Sequence, residues 1–349
     1  MRTSLLDYAL PETLIASRPL ERRDGARLMV VGATLAHRRV DEWAALVPEG
    51  ALVVLNETRV RKARLFGTRR GTGGRAELLL LRRLSEPGHK ERWLALGRAS
   101  KPLRPGSVID AGALSIEVRG RDDADGALEV EVSAGGSVDA ALEEHGHVPI
   151  PPYLRRDDDA LDRERYQTVF ARELGSVAAP TAGLHLTQAA LDVLRARGVE
   201  VARLLLHVGL GTFRPVTAED LDAHPMHSEE LEVGEAVVDA VARARGRGAP
   251  VIAVGTTVVR ALESSRDPAR HGYLRATRGE TSLLIQPGYS FGVVDGLLTN
   301  FHMPRSTLLA LVAAFAGLER TLDAYRVAVS ERYRFLSYGD AMWIPERTR

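Results

Sequence analysis

Residues 176 to 187, SVAAPTAGLHLT, have the composition of a ligand-facing loop rather than of a scaffold. Ala178, Ala179, Ala182 and Gly183 let a backbone approach a bound molecule closely, Thr181 brings a hydroxyl, and His185 brings the only titratable side chain. The following TQAALDVLRARG has apolar residues at helical spacing and a glycine stop. The loop is therefore expected to run into a helix N-terminus, where unpaired amides favour anions and acceptor atoms. Other polar segments end apolar runs in the same way: residues 56 to 59, His207 with Gly209, Gly211 and Thr212, Gly255, Thr256 and Thr257 with Arg260 and Glu263, residues 299 to 302 with Asn300 and His302, and the segment holding Tyr338 and Asp340. In open α/β sheets ligands collect at the carboxyl ends of strands, so these loops are expected to converge. Each also has a plain structural alternative. A lone histidine at a strand end is more often a hydrogen-bonded core residue, and Thr256 with Thr257 can simply cap a helix.

The elements that would carry these loops follow from patterning. A chain of 349 residues, 45% hydrophobic and 27% charged, is that of a globular protein with two domains or one large domain with an insertion. ALVVL at 51 to 55 reads as a buried strand. From residue 65 to 150 the texture changes to short apolar runs broken by glycine and proline, as expected of a small all-β barrel or sandwich. After 150 strands and helices alternate: LDVLRARG is a helix, VARLLLHVGLGTF a strand ending in a glycine turn, AVVDAVARARGRG a helix, and PVIAVGTT a strand entering VVRALESS. TSLLIQPG reads as another strand and RSTLLALVAAFAG as a helix buried on most sides. The fold class expected is an α/β (α+β) large domain, residues 1–64 and 151–349, carrying an inserted β-barrel-like domain at 65–150.

Several chemistries are excluded or disfavoured. With no cysteine, disulfides, thiolate catalysis and thiolate-ligated metals are ruled out. Gly209 and Gly211 fail as a dinucleotide fingerprint because Arg214 and Pro215 stand where the third glycine and a helix should follow. No phosphate-binding GxxxxGK[ST] loop occurs. His224 and His227 have HxxH spacing without a supporting acid, so no metal is expected. The N-terminus has no signal-peptide pattern and no apolar run is long enough to span a bilayer, which predicts a cytoplasmic protein without membrane contact. Net charge is +1, but arginines cluster from Arg59 to Arg75, and arginine's planar fork suits phosphate.

The strings NETRVRKARLFG, GSVAAPTAGLHLT, LHVGLGTFRPV, HPMHSE, GTTVVRALES, TNFHMPRSTLLALVAAFAG and YRFLSYGDAMWI, in this order, closely resemble the S-adenosylmethionine:tRNA ribosyltransferase-isomerases of queuosine biosynthesis. The resemblance spans nearly the whole chain, the insert matching only in texture. Leu186 and Pro225 stand where that family more often has an aromatic and a lysine. What the resemblance implies is S-adenosylmethionine used as a ribosyl donor, with no bound prosthetic group. The implied acceptor is tRNA carrying 7-aminomethyl-7-deazaguanine at the wobble position, and the products are epoxyqueuosine, adenine and methionine. The alternatives are an S-adenosylmethionine-dependent RNA methyltransferase, for which no donor-binding glycine loop is found, and a non-catalytic tRNA-binding protein, which would leave the polar loops idle.

That chemistry needs a base for a proton beside a sulfonium and an acid for departing adenine. His185, His207 and His302 are the candidates, with His185 favoured because its loop suits close approach. Thr181, Asn300 and the turn through Gly209, Gly211 and Thr212 are assigned to adenine and ribose, and Gly183, Thr256 and Tyr338 to substrate binding. Glu263 and Asp340 are assigned to the methionine ammonium or ribose hydroxyls, and Arg260 to the methionine carboxylate. Arg59, Arg61, Lys62, Arg64, Tyr153, Arg155 and Arg156 are the expected tRNA contacts. A monomer is expected, because no surplus amphipathic helix stands out.

Overall fold

The computed structural model describes residues 1–122, 126–209 and 216–348. In chain order the strands are β1 (Arg27–Val31), β2 (Leu35–Arg39), β3 (Leu52–Asn56), β4 (Thr58–Val60), β5 (Arg64–Arg69), β6 (Arg75–Arg83), β7 (Lys90–Ala99), β8 (Val108–Ala111), β9 (Leu114–Arg121), β10 (Leu128–Ala134), β11 (Glu173–Ser176), β12 (Glu200–Leu206), β13 (Glu229–Val233), β14 (Val251–Val254), β15 (Thr277–Thr281), β16 (Gly296–Asn300) and β17 (Ala341–Ile344). Nine of them form one mixed sheet in the order β15-β13-β12-β3-β14-β16-β17-β1-β2. At its centre β12, β3, β14 and β16 run parallel, so their carboxyl ends share one edge.

The central strands are apolar on both faces because helices cover both. Leu52 and Val54 join the core beneath α5 (Glu235–Gly246), α6 (Thr256–Ser264), α7 (Thr307–Ala316) and α8 (Leu318–Ser330). Val53 and Leu55, one residue out of phase, join a second core with Trp43, Leu191, Leu194 and Trp343. The apolar run at 307 to 316 is the buried helix its composition demands, with Leu309, Leu311, Val312 and Phe315 in the core.

The insert is a closed antiparallel barrel, order β10-β7-β6-β5-β8-β9. Alternate residues such as Leu65, Leu78, Leu80, Ile116, Val130 and Val132 fill it, and α2 (Val138–His145) adds Val138 and Leu142 to the same core. The two connections to the main sheet lie side by side, β4 pairing in parallel with β11.

Two sequence expectations are corrected. Strand β15 ends at Thr281, so SLLIQPG lies outside the sheet: Thr281 Oγ1 accepts from the Leu283 amide and turns the chain, and the Leu283 carbonyl accepts from Arg260. His185 does not open an α-helix. Residues Thr181–His185 form a 3₁₀ turn, and the α-helix starts afterwards at Gln188, capped by Thr187 Oγ1 accepting from the Ala190 amide. Among the described residues no helix is long and apolar enough to cross a membrane, and no three His, Asp or Glu side chains gather as metal ligands would.

Candidate active site

Four loops meet at the shared carboxyl edge and enclose a cleft. Ala178 to Ala182 form one wall, Gly255 to Thr257 the start of α6, residues 299 to 303 the exit of β16, and Leu336 with Ser337 the far side; Tyr153 and Val208 complete it. The edge is held in register by Asn56. Its amide accepts from the Leu206 and Thr58 backbone N–H groups and donates to the Leu206 carbonyl, tying β3 to β12.

Asn300 is the focal side chain. It is buried, and its Nδ2 donates to His185 Nε2 (3.1 Å) and to the Leu336 carbonyl (3.2 Å), which uses both amide hydrogens. Its Oδ1 has no partner among the described residues. A buried acceptor left open costs about 1–3 kcal/mol, so it is a place where a ligand donor gains a bond. Leu336 is held at φ 70° by this bond, by its amide donating to the Phe301 carbonyl and by Gly339 donating to its carbonyl. That conformation costs a leucine about 1–2 kcal/mol, and it turns the Leu336 carbonyl towards Asn300. Gly339 is required here: a Cβ would lie 2.5 Å from the Arg334 carbonyl oxygen.

His185 stands behind Asn300 rather than in the cleft wall. Burial, helped by the positive charge of Arg334, pushes its pKa down to about 4 against an opposing hydrogen bond to the Arg23 backbone. The ring is neutral at pH 7, and Nε2 acts as the acceptor that orients Asn300.

His302 does line the cleft. Its Nε2 lies 2.9 Å from Thr299 Oγ1, and burial alone pushes its pKa down to about 3. Its backbone is clamped by two tyrosines: the His302 amide donates to Tyr325 Oη (2.9 Å), and Tyr8 Oη donates to the His302 carbonyl (2.5 Å). Tyr8 and Tyr325 in turn pack with Phe301 and Phe335 in one aromatic cluster. Among the described residues the cleft carries no Asp, Glu, Lys or Arg side chain.

Of the sequence candidates, Thr181, Thr256, Asn300, His302 and Tyr153 therefore come together, with His185 one side chain behind. His207 and Gly209 lie on an adjoining cleft between barrel and sheet that shares Val208 with the first. His207 Nδ1 is 2.8 Å from Thr58 Oγ1, and burial, then the charge of Arg61, lowers its pKa. Gly211 and Thr212 lie outside the described residues.

The other assigned groups already have partners within the protein. Gly183 faces Phe170 and Thr168, each 2.9 Å from where a Cβ would be, so its smallness serves packing. Arg260 is buried against Glu229 and also donates to the Leu283 carbonyl, so its guanidinium is already engaged by the protein. Glu263 accepts from the amides of Gly292, Val293 and Val294 at 2.9–3.0 Å and so anchors a loop. Asp340 accepts from the Arg27 and Arg334 amides, and Tyr338 Oη donates to Asp162 (2.7 Å).

The expected tRNA contacts divide similarly. Arg59 is exposed without a side-chain partner among the described residues. Arg61 is buried against Asp139 and over Trp93, Lys62 pairs with Glu143, Arg64 with Glu77 and Asp157, Arg155 with Glu12 and Arg156 with the buried Asp162. Tyr153 Oη meets Ser337 Oγ at 2.6 Å in the cleft wall. Ser337 belongs to the polar segment expected to converge here, whereas Met303, Ser306 and Leu336 are cleft residues that sequence reading did not single out. Only Ser306 left a usable signal, as the cap of an apolar helix, its Oγ accepting from the Leu309 amide.

The chain matches the family described as queuosine biosynthesis protein over residues 3–344. It is 60% identical to an S-adenosylmethionine:tRNA ribosyltransferase-isomerase of Sorangium cellulosum, covering 99% of this chain and 98% of that one. It is 50% identical to the protein of the same name from Geobacter metallireducens, covering 99% and 100%. The crystal structure of an S-adenosylmethionine tRNA ribosyltransferase from Thermotoga maritima matches with a TM-score of 0.54 at 35% identity, over 98% of this chain and all of that one.

Proposed function

The chain belongs to the queuosine biosynthesis protein family, and on that premise we infer that it is an S-adenosylmethionine:tRNA ribosyltransferase-isomerase, with S-adenosylmethionine as donor substrate and tRNA as acceptor. The acceptor base we assign is 7-aminomethyl-7-deazaguanine at the wobble position, converted in the cytosol to epoxyqueuosine with release of adenine and methionine. We propose that it acts as a monomer, supported by the lack of a surplus amphipathic helix in the sequence.

The observation that carries the reading at the level of residues is the neutral cleft with one open acceptor. Loss of a proton from the carbon beside the sulfonium requires that the positive charge keep its pull on that C–H bond. A carboxylate in the wall would stabilise the cation and weaken that pull; among the described residues this cleft has none. Asn300 Oδ1 suits a donor group of the nucleoside, the adenine amine or a ribose hydroxyl. The start of α6, where the first amides have no intrahelical acceptor, suits the methionine carboxylate better than the occupied Arg260 does.

We assign proton transfer to His302, the one imidazole in the cleft wall among the described residues. With Nε2–H donating to Thr299, Nδ1 remains a neutral acceptor. His185 is a positioning residue that fixes the Asn300 amide. The test uses two donor preparations, labelled in the ribose or in the methyl group, with tRNA carrying the aminomethyl base. Ribosyl label in tRNA with equimolar free adenine is expected. Methyl label in tRNA would show a methyltransferase instead, and retention of tRNA without turnover a binding protein.

A further inference from the structure

A second groove lies beside the cleft, between the outer face of the barrel and residues 149 to 157. It is continuous with the active site through the chain itself: Pro152 and Val177 line the groove, and their neighbours Tyr153 and Ala178 line the cleft. Strand register builds its barrel wall. Phe66, Glu77 and Arg98 sit opposite one another on β5, β6 and β7, and Arg64, Leu79 and Leu96 form the next row. Alternate residues Leu65, Leu78 and Ala95 point into the barrel core, so both rows face outward.

Two features of this face are unexplained by the fold: Phe66, on the row of Glu77 and Arg98 but beside the groove rather than in its lining, and Arg98 within it. Phe66 is 41% exposed, held edge-on to His147 with the Arg64 guanidinium 4.6 Å from its ring centre. An exposed aromatic in a basic setting is a stacking platform for an unpaired base. Arg98 is exposed and has no side-chain partner among the described residues, whereas Arg155 and Arg156 in the same groove are already paired with Glu12 and Asp162. Arg121 donates to the Gly126 carbonyl. Among the described residues five arginines line the groove with two carboxylates, Glu77 and Asp157.

We propose that this groove seats the single-stranded RNA loop that delivers the target base to the cleft, with Phe66 stacking on a loop base and Arg98 neutralising a backbone phosphate. The proposal rests on the reading of tRNA as acceptor. Stacking explains why an apolar ring stays exposed, and the free arginine supplies charge where a phosphate would pass.

The test measures binding of an unmodified tRNA transcript to the full chain at several salt concentrations, with S-adenosylmethionine binding measured in parallel. Phe66→Ala is expected to weaken RNA binding about tenfold. Arg98→Ala is expected to lower the slope of log affinity against log salt by about one. Both should raise KM for tRNA with kcat and donor affinity unchanged, and thermal midpoints should stay put because both side chains are exposed. Arg320→Glu, an exposed change on α8, should leave RNA binding at the wild-type level. Wild-type RNA affinity in Phe66→Ala and Arg98→Ala overturns the groove while leaving the tRNA reading intact. No binding or modification of tRNA by the wild-type chain overturns both.

Discussion

Replacing His185 separates orienting Asn300 from carrying a proton. In His185→Ala the Asn300 Nδ2 loses one acceptor (3.1 Å in the wild type) in a buried setting. An unpaired buried donor costs about 1–3 kcal/mol, and the space left by the ring adds a cavity term. The amide is then free to rotate its Oδ1 away from the cleft. His185→Gln keeps a carbonyl acceptor near the position of Nε2 but cannot exchange a proton at neutral pH. Positioning therefore predicts that Gln retains turnover within about tenfold of wild type, about 1.4 kcal/mol, while Ala loses about two orders of magnitude. Proton transfer by His185 predicts that both fall by about 10²–10⁴. The pH profile gives a second measure. The ring titrates at about 4, so as pH falls the acceptor survives until then; protonation below it sets two N–H groups head to head. Adenine release, followed from pH 8 to 4 with thermal unfolding recorded for each variant, reads both. Gln as inactive as Ala at unchanged stability, with a wild-type limb near 6.5 that the variants lack, would refute the positioning role.

His302→Gln should abolish adenine release by about 10²-fold or more while donor binding persists, read by equilibrium binding, in line with loss of an acid-base group. Acid stability follows from the same rings. Both are neutral in the fold with pKa values lowered from 6.5, so below 6.5 the unfolded chain binds protons that the folded chain refuses. Stability is full above that pH and falls towards 4. Depression to about 4 and about 3 corresponds to about 3 and about 5 kcal/mol when fully expressed, and together to about 6 kcal/mol by pH 4; urea unfolding at pH 7, 5.5 and 4.5 measures the slope, which a flat profile would contradict. Glu263→Gln should destabilise by about 1–3 kcal/mol, because one of the two oxygens that accept from three amides is lost, yet leave KM for S-adenosylmethionine unchanged. A raised KM at normal stability would return Glu263 to the binding site.

What the sequence determined by itself was local. The unbroken apolar runs LVVL and VIAV and the buried texture of TLLALVAAFA are properties of single segments, and the barrel's short runs and turns are equally short-range. The convergence of Thr181, Thr256 and Asn300 was also legible, because each ends a strand or opens a turn at the edge where parallel strands finish. The occupancy of each charge was not. Arg260 meets Glu229 across 31 residues, Asp340 meets Arg27 across 313, and Tyr338 meets Asp162 across 176. A buried charge must find an opposite charge or aligned donors, and only chain packing decides whether that partner is the protein or a ligand. The same holds for His185 and Asn300, 115 residues apart: the types are written in the chain, while burial makes one a neutral support and leaves the other with an open acceptor.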